Sequence, residues 1–261
     1  MNYFLCLHKV THFYKMYDKY IMIIGIIVLI ILFIYFINEY CYPEQIEYFT
    51  QNNNVNNLLD HVYYINLDHR TDRKKETLEE LKKFGLDNPI RYNAIKDKIG
   101  LIGCAKSHLN ILKEARKNHF PYVAIFEDDV KFLDPIMTKN KIKKLIDSDI
   151  EWDVILLGGN NYEPYHKINN DFMKVENLQC TTSYIVKQSY YKKLINHWEE
   201  GLQKLIETKD EPKYALDQYW KILQKKDNFI LLLPLKVVQR ESYSDIVKGN
   251  VNYEDLMTKH N

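Results

Sequence analysis

The chain has 261 residues, and its 36 Lys and Arg side chains against 35 Asp and Glu give a formal net charge of +1. A charge this close to zero argues against the electrostatic footprint of a nucleic-acid-binding protein, so no nucleic-acid partner is expected. With 27% charged and 13% aromatic residues, the composition excludes a disordered chain and suits a good-sized α/β domain with additional segments.

An apolar segment near the N-terminus predicts one membrane-spanning helix. Residues 21–37 are apolar apart from Gly25 and Tyr35, and with Tyr20 the run is just long enough to cross a bilayer. No small-residue cleavage site follows, which favours a retained signal-anchor over a signal peptide, and the uninterrupted apolar run disfavours a core helix. Lysines precede the span and glutamates follow it, which predicts a type II single-pass membrane protein with its domain on the lumenal or exoplasmic side. We therefore expect a cytosolic tail at residues 1–19, a transmembrane anchor at 20–38, a linker at 39–60 and a folded domain at 61–261.

From residue 61 onwards, strand-like and helix-like segments alternate, which predicts a mostly parallel sheet with helices on both faces. Apolar runs predict strands at residues 61–67, 90–95, 122–126, 153–157, 182–186 and 229–233. Amphipathic periodicity predicts helices at residues 71–84, 103–118, 189–200 and 214–225.

Three adjacent carboxylates, Glu127, Asp128 and Asp129, follow the strand predicted at residues 122–126. Open α/β sheets bind their ligands at the carboxyl ends of the strands. Adjacent carboxylates repel one another, so a cation is expected to offset them, and Glu127 and Asp129 can face the same side at strand spacing. Hard oxygen ligands suit Mg²⁺ or Mn²⁺, which in turn can hold a diphosphate. The alternative is a solvated acidic turn after an edge strand.

The turn from the first predicted strand into the first predicted helix carries Asn66, Arg70 and Arg73. In a doubly wound sheet this turn is a nucleotide site, and the two guanidinium groups can stack on a base or bind a phosphate. A dinucleotide fingerprint is not indicated, because the turn lacks its glycines. The alternative is an exposed basic helix start.

The helix predicted at residues 103–118 begins with a second polar motif. Lys106, Ser107 and the free N–H groups of the first turn can meet an anion there. His108, taken alone, is more typical of a packed or capping histidine than of a catalytic one.

Asp217 is the acid with the most apolar and aromatic neighbours after the core motifs, since Ala215, Leu216, Tyr219 and Trp220 surround it in sequence. Such surroundings raise a carboxyl pKa and suit a general base. The alternative is an acid in the first turn of a surface helix.

The four cysteines, Cys6, Cys41, Cys104 and Cys180, form no CxxC pair, so a zinc knuckle is not expected. A disulfide between Cys104 and Cys180 stays open for a domain in an oxidising lumen, but two isolated buried thiols are favoured.

A series of short segments, in order and at ordinary spacing from residue 61 to about 246, resembles the motifs of glycosyltransferase family 25. That family includes lipopolysaccharide glycosyltransferases and collagen galactosyltransferases. The segments are residues 63–73, 91–95, 100–108, 126–130, 152–158, 181–186, 216–217, 238–239 and 244–246. The sequence departs from the pattern at Leu101, where an acid is usual, at Ile95-Lys96-Asp97, which lacks an Asp-Gly tail, and at Cys180, where a glycine is frequent.

The resemblance implies a GT-A-like fold and the inverting transfer of a sugar, most simply a hexose from a UDP-sugar, to a hydroxyl of a glycan or glycoprotein acceptor. It implies Mn²⁺ or Mg²⁺ at Glu127 and Asp129, and Asp217 as the catalytic base. The residues that it assigns to the nucleotide-sugar donor are Asn66, Arg70, Arg73, Ser107, His108 and Asp128.

Two other classes of function stay open on the residues alone. The acid cluster also suits another metal enzyme, a phosphoesterase or a nucleotidyltransferase. The same chain is also compatible with a non-catalytic, membrane-anchored binder of glycans or nucleotides.

Overall fold

The computed structural model describes residues 22, 24–30, 33 and 58–259. The chain divides into two compact units, Met1–Asn52 and Asn53–Asn261. In the first unit, the described residues are helical and exposed. No helix among the described residues is long and apolar enough to cross a membrane. The tail predicted at residues 1–19, most of the anchor predicted at 20–38 and most of the linker predicted at 39–60 lie outside the described residues.

The second unit is a mixed α/β domain. Its strands are β1 (Val62–Asn66), β2 (Ile90–Asn93), β3 (Tyr122–Glu127), β4 (Val130–Phe132), β5 (Val154–Leu156), β6 (Asn160–Asn161), β7 (Tyr165–Lys167), β8 (Phe172–Val175), β9 (Leu178–Gln179), β10 (Ser183–Lys187), β11 (Phe229–Leu232), β12 (Val237–Gln239), β13 (Ser242–Ser244) and β14 (Gly249–Val251). Its helices are α1 (Thr71–Lys83), α2 (Gly100–Lys117), α3 (Pro135–Ile146), α4 (Tyr191–Thr208), α5 (Glu211–Tyr214), α6 (Leu216–Tyr219), α7 (Lys221–Gln224) and α8 (Glu254–Thr258).

The main sheet has eight strands in the order β2-β1-β3-β10-β5-β11-β8-β7. β1 pairs in parallel with β2 and β3, and β11 pairs in parallel with β5. β10 runs antiparallel between β3 and β5, and β8 runs antiparallel between β11 and β7. The prediction of a mostly parallel sheet is therefore correct except for β8 and β10, because an apolar run identifies a buried strand but not its direction.

Alternate side chains of the central strands enter two separate apolar cores. Tyr63 and Ile125 pack in one core with residues of α2 and α4, whereas Tyr64 and Phe126 pack in the other with residues of α1 and α3. Helices therefore cover both faces of the sheet, as predicted. Each large apolar side chain buried in this way stabilises the fold by about 1.5–3 kcal/mol. Leu58, which precedes the predicted domain start at residue 61, is fully buried in the second core.

The helices differ from the prediction in their bounds and in their number. α2 begins at Gly100 rather than at residue 103, and α4 extends to Thr208 rather than residue 200. The helix predicted at residues 214–225 is present as two short consecutive helices, α6 and α7, and the extended backbone at Ala215 (φ −54°, ψ 148°) separates them from α5. α3 was not predicted, although Asp134 accepts a hydrogen bond from the backbone N–H of Met137 as its N-cap.

Candidate active site

A cavity of about 420 Å³ lies at the carboxyl ends of β1 and β3. The first turns of α2, the loop before α2 and the β13–β14 hairpin complete its wall. A cavity of this kind suits a small-molecule ligand. Its position at the strand ends is the one that the acidic motif predicts for a ligand site.

The three acids sit on a buried turn after a central strand. β3 lies between β1 and β10, and Asp128 and Asp129 are each only 8% exposed. The solvated acidic turn after an edge strand, which the sequence left open, is therefore wrong. Charges buried to this extent need partners or an ion.

Asp128 has its partners within the protein. Its two carboxylate oxygens accept hydrogen bonds from Arg73 Nη1 at 2.6 Å and Asn66 Nδ2 at 2.7 Å, and Thr77 donates to its backbone carbonyl at 2.8 Å. The alternative of an exposed basic helix start is therefore wrong for Arg73, which is 8% exposed. The ion pair of Arg73 and Asp128 fixes the conformation of the acidic turn.

Glu127 and Asp129 are held by hydroxyl and amide donors. Thr181 Oγ1 donates to Glu127 at 2.6 Å, while Thr182 Oγ1 and Gln239 Nε2 lie 3.3 and 3.4 Å from the oxygens of Asp129. Burial raises the pKa of Asp129, and the negative charge of Glu127 raises it further. Burial also opposes the charge on Glu127, but the nearby His108 and the hydrogen bond from Thr181 hold the pKa of Glu127 below its usual value.

The surroundings of these two carboxylates fit a hard divalent cation. Glu127 and Asp129 themselves offer carboxylate oxygens, with the hydroxyls of Thr181 and Thr182 beside them, and oxygen is the ligand atom that Mg²⁺ prefers and that Mn²⁺ accepts. The raised pKa of Asp129 reflects a cost of burying two like charges together, which a cation would offset.

Ser107 and Gly103 attach the loop before α2 to the helix. Ser107 Oγ accepts a hydrogen bond from the backbone N–H of Ile95 at 2.9 Å and donates to the carbonyl of Gly103 at 2.8 Å. A Cβ atom at residue 103 would lie 2.2 Å from the carbonyl oxygen of Ile95. Ser107, predicted to contact a donor, lines the cavity, but both hydrogen bonds of its hydroxyl stay within the protein.

Replacing Gly103 by alanine should destabilise the domain by about 1–3 kcal/mol, as expected for an atom forced into a filled space. The loop carrying Ile95 must move to admit the new methyl group, because the contact is with backbone. Gly249→Ala is the matched control, because a Cβ there meets no atom within 4 Å. Urea unfolding of both variants measures the difference, and equal stability of the two would contradict the close packing.

His108 is fully buried beside the acids, as a packed histidine would be. Its Nδ1 lies 2.7 Å from the hydroxyl of Tyr184, and its ring also packs against Trp198. Its Nε2 lies 3.2 Å from Glu127 Oε1 in a geometry that makes no hydrogen bond. The ring therefore lines the cavity and presents one nitrogen to the acidic cluster.

Asn66 and Arg70, both predicted to bind the donor, lie outside the cavity lining. Asn66 is 1% exposed and donates to Asp128 and to the carbonyl of Arg70, while Arg91 donates to its side-chain oxygen. Arg70 forms ion pairs with Asp72 at 2.9 Å and Asp245 at 2.5 Å. Both side chains hold parts of the cavity wall together, and Arg70 attaches α1 to the β13–β14 hairpin.

Asp217 also lies outside the cavity lining, in the first turn of α6. Its Oδ2 accepts a hydrogen bond from the backbone N–H of Cys180 at 3.0 Å. Burial raises the pKa of Asp217 in the direction expected from its apolar neighbours, and the charge of Glu127 adds to the shift. The carboxylate is therefore close enough to the acidic cluster to interact with it.

Several residues around the acids and the cavity were not predicted. Thr181, Thr182 and Gln239 contact the acids, and they lie within segments that resemble family motifs but carry no predicted role. Lys96, Lys98 and Lys248 are exposed at the wall of the cavity and supply positive charge. Their positions are set by loops, for which the sequence offers no periodic signal.

The fold and the site define an α/β protein with a ligand cavity at its strand ends, where buried acids form the floor and lysines the wall. The chain belongs to glycosyltransferase family 25, whose model, described as an LPS biosynthesis protein, matches residues 86–220. It is 26% identical to procollagen galactosyltransferase 1-A of Xenopus laevis, with 76% of this chain and 39% of the relative covered. It is 25% identical to a glycosyltransferase 25 family member of Anopheles gambiae, with 57% of this chain and 30% of the relative covered.

The chain thus spans less than half the length of these curated relatives. Among solved structures, a glycosyltransferase involved in the glycosylation of the major capsid of PBCV-1 is 12% identical, with a TM-score of 0.36 over 66% of this chain and 91% of that one. A likeness as distant as this carries no argument about function.

Proposed function

We propose that the chain transfers a hexose from a UDP-sugar to a hydroxyl of a glycan or a glycoprotein, and that the reaction requires Mn²⁺ or Mg²⁺. The observation that carries the proposal is the charge of the acidic floor. Glu127, Asp128 and Asp129 carry three formal negative charges, and in the described part of the chain Arg73 alone pairs with them as a permanent cation. Three minus one leaves two negative charges, which one divalent cation balances.

The wall of the cavity supports an anionic ligand. Lys96, Lys98 and Lys248 line it, and none of the three has an ion-pair partner among residues 58–259. Lysine is a common phosphate ligand that acts as a point charge. The combination of a divalent cation at the floor with ammonium groups at the wall suits the diphosphate of a nucleotide-sugar.

The proposed mechanism assigns the acidic residues to separate tasks. A bound Mn²⁺ or Mg²⁺ would stabilise the charge of the leaving diphosphate as a Lewis acid. Glu127 and Asp129 hold this ion, while Asp128, through Arg73 and Asn66, keeps the turn in place. Asp217 accepts the proton of the acceptor hydroxyl during an in-line attack that inverts the anomeric carbon.

The experiment that tests the proposal measures nucleoside diphosphate release by the full-length chain from a panel of nucleotide-sugars, with Mn²⁺ and with chelator. Release from a UDP-hexose that depends on the cation and is increased by an acceptor supports the proposal. Release of phosphate or pyrophosphate instead would favour a phosphoesterase or nucleotidyltransferase. Donor binding without any turnover would favour a non-catalytic binder.

The proposal includes a type II membrane topology, which rests on the apolar run at residues 20–38 and its flanking charges. Protease added to sealed vesicles that carry the full-length chain should spare residues 61–261, because the bilayer separates these residues from the protease. Detergent should abolish the protection, which is the control for protease activity. Digestion of the domain in sealed vesicles would show that the orientation is the opposite of the proposed one.

A further inference from the structure

Cys104 and His108 lie four residues apart on α2 and point from one face of the helix towards Glu127. The sulfur, one ring nitrogen and one carboxylate oxygen of these residues all lie within 4.8 Å of one another. Cys104 lines the cavity and is a free thiol. This group differs from the Glu127 and Asp129 pair, because it offers a sulfur and a nitrogen in addition to oxygen.

His108 is oriented as a ligand would be. Tyr184 holds Nδ1 at 2.7 Å, whereas Nε2 makes no hydrogen bond with any described residue, although the side chain is fully buried. This nitrogen faces Glu127 Oε1 at 3.2 Å outside hydrogen-bond geometry, so it is buried without a well-aligned partner. Histidines that bind metals almost always have their other ring nitrogen fixed by a hydrogen bond, as Tyr184 does here.

The thiol of Cys104 faces the same acidic cluster. Burial raises the pKa of Cys104 well above its usual value, and the charges of Glu127, Asp217 and Asp129 raise it further. A thiophilic metal ion binds a cysteine as its thiolate and releases the proton.

We propose that Cys104, His108 and Glu127 bind a thiophilic divalent cation with the chemistry of Zn²⁺. A thiolate and a carboxylate balance its two positive charges, and sulfur, nitrogen and oxygen are the ligands that Zn²⁺ uses. Three protein ligands leave a fourth position for water. Neighbouring ligand atoms of a tetrahedral Zn²⁺ site lie about 3.5 Å apart. The His108–Glu127 separation of 3.2 Å is close to this value, and the sulfur, which lies within 4.8 Å of both atoms, can be moved by rotation about the side chain of Cys104.

The site shares Glu127 with the proposed Mn²⁺ or Mg²⁺ site. A Zn²⁺ ion that draws Glu127 towards His108 removes one ligand from the Glu127 and Asp129 pair. Zinc should therefore inhibit transfer in competition with Mn²⁺, a consequence that rests on the proposed function. Binding of Zn²⁺ itself does not depend on the proposed function.

Cobalt absorption spectroscopy tests the binding, because a thiolate ligand gives Co²⁺ a charge-transfer band in the near ultraviolet. The full-length chain carries Cys6→Ser and Cys41→Ser, so that Cys104 and Cys180 are its only thiols. We expect one equivalent of Co²⁺ to produce the band and Zn²⁺ to displace it. Cys104→Ser should abolish the band, and the matched variant Cys180→Ser should keep it.

A second variant tests the orientation of His108. Tyr184→Phe removes the hydroxyl that holds Nδ1 and should weaken Zn²⁺ binding by about 10–100-fold while the thiolate band persists. Absence of the band in the parent chain, or its survival in Cys104→Ser, would overturn the proposal. Circular dichroism of each variant separates loss of a ligand from loss of the fold.

Inhibition is measured separately, so that the two proposals can fail independently. If the chain transfers sugar, Zn²⁺ should inhibit the parent in Mn²⁺ and should inhibit Cys104→Ser at least about tenfold less effectively. Equal inhibition of both would overturn the competition through Glu127. If no donor is turned over, the proposed function fails, and the cobalt spectra still decide whether the site binds metal.

Discussion

Replacing Asp129 by asparagine should lower turnover of the donor at least about 100-fold, equivalent to about 2.7 kcal/mol of transition-state stabilisation. The substitution keeps the size of the side chain and its contacts with Thr182 and Gln239, but it removes one of the two charges proposed to hold the cation. Initial-rate measurements in Mn²⁺ give the comparison. Asp147→Asn, which changes an exposed acid at the end of α3, should turn over the donor as the parent does.

The stability of Asp129→Asn shows whether its lost turnover comes from a lost function or from a lost fold. Because burial and Glu127 raise the pKa of Asp129, its ionised form is disfavoured in the folded protein. A carboxyl whose pKa is raised on folding costs stability as the pH rises above its unfolded value. In chelator at alkaline pH, Asp129→Asn should therefore unfold at the same temperature as the parent or at a higher one. Full turnover of this variant in chelator would contradict the role of Asp129 in holding a cation.

Replacing Asp217 by asparagine should lower kcat by about 10²–10⁴ and leave donor binding nearly intact, as expected when a general base is lost. Asparagine can still accept the hydrogen bond from the backbone of Cys180, so the fold around α6 should persist. Single-turnover rates and donor affinity, measured together, separate the two effects. Asp210→Asn, an exposed acid before α5 that makes no side-chain cap, is the matched control.

The other outcomes of this substitution assign Asp217 a different role. Weak donor binding would make it a donor contact, and the base would then lie elsewhere. Wild-type behaviour would make it an acid in a first helical turn, as the sequence left open. The second outcome would agree with its position outside the cavity lining, whereas a large loss of kcat would require the acceptor to approach from the side of α6.

The sequence predicts the acidic floor of the cavity because the signal is local. The apolar run of β3 ends in three carboxylates, and the strand's central place in the sheet follows from its burial on both faces. The inward face of α2 is equally local, since Ala105, Leu109, Leu112 and Ala115 repeat at helical spacing and are all buried. Leu78, by contrast, is at helical spacing from the buried Leu81 on α1 and is 36% exposed.

The contacts that complete the site depend on pairing between distant segments. β10 runs antiparallel to β3, and this register brings Thr181 and Thr182 beside the acids. β12 pairs with β4 and brings Gln239 to Asp129. No periodicity within either segment reveals such a partner. The sequence also does not reveal the partners of Asn66 and Arg70. Their side chains are of types that bind ligands, but their hydrogen bonds and ion pairs lie within the protein.

The cysteines provide one feature that the sequence predicts and one contact that it does not reveal. Cys104 and Cys180 are free thiols, as the sequence favoured. Cys180 has a left-handed backbone with φ of 81°, which glycine adopts without strain. The approach of Cys104 to His108 and Glu127 joins α2 to β3 and follows only from the folded arrangement.

Equilibrium binding of UDP to the full-length chain, in Mn²⁺ and in chelator, tests whether the acids hold the cation that holds the donor. In the parent, Mn²⁺ should tighten UDP binding at least about tenfold, because an ion held by Glu127 and Asp129 would offset the charge of the diphosphate. In Asp129→Asn, the tightening should disappear, while the control Asp147→Asn should retain it. UDP binding of equal affinity with and without Mn²⁺ in the parent chain would contradict the account.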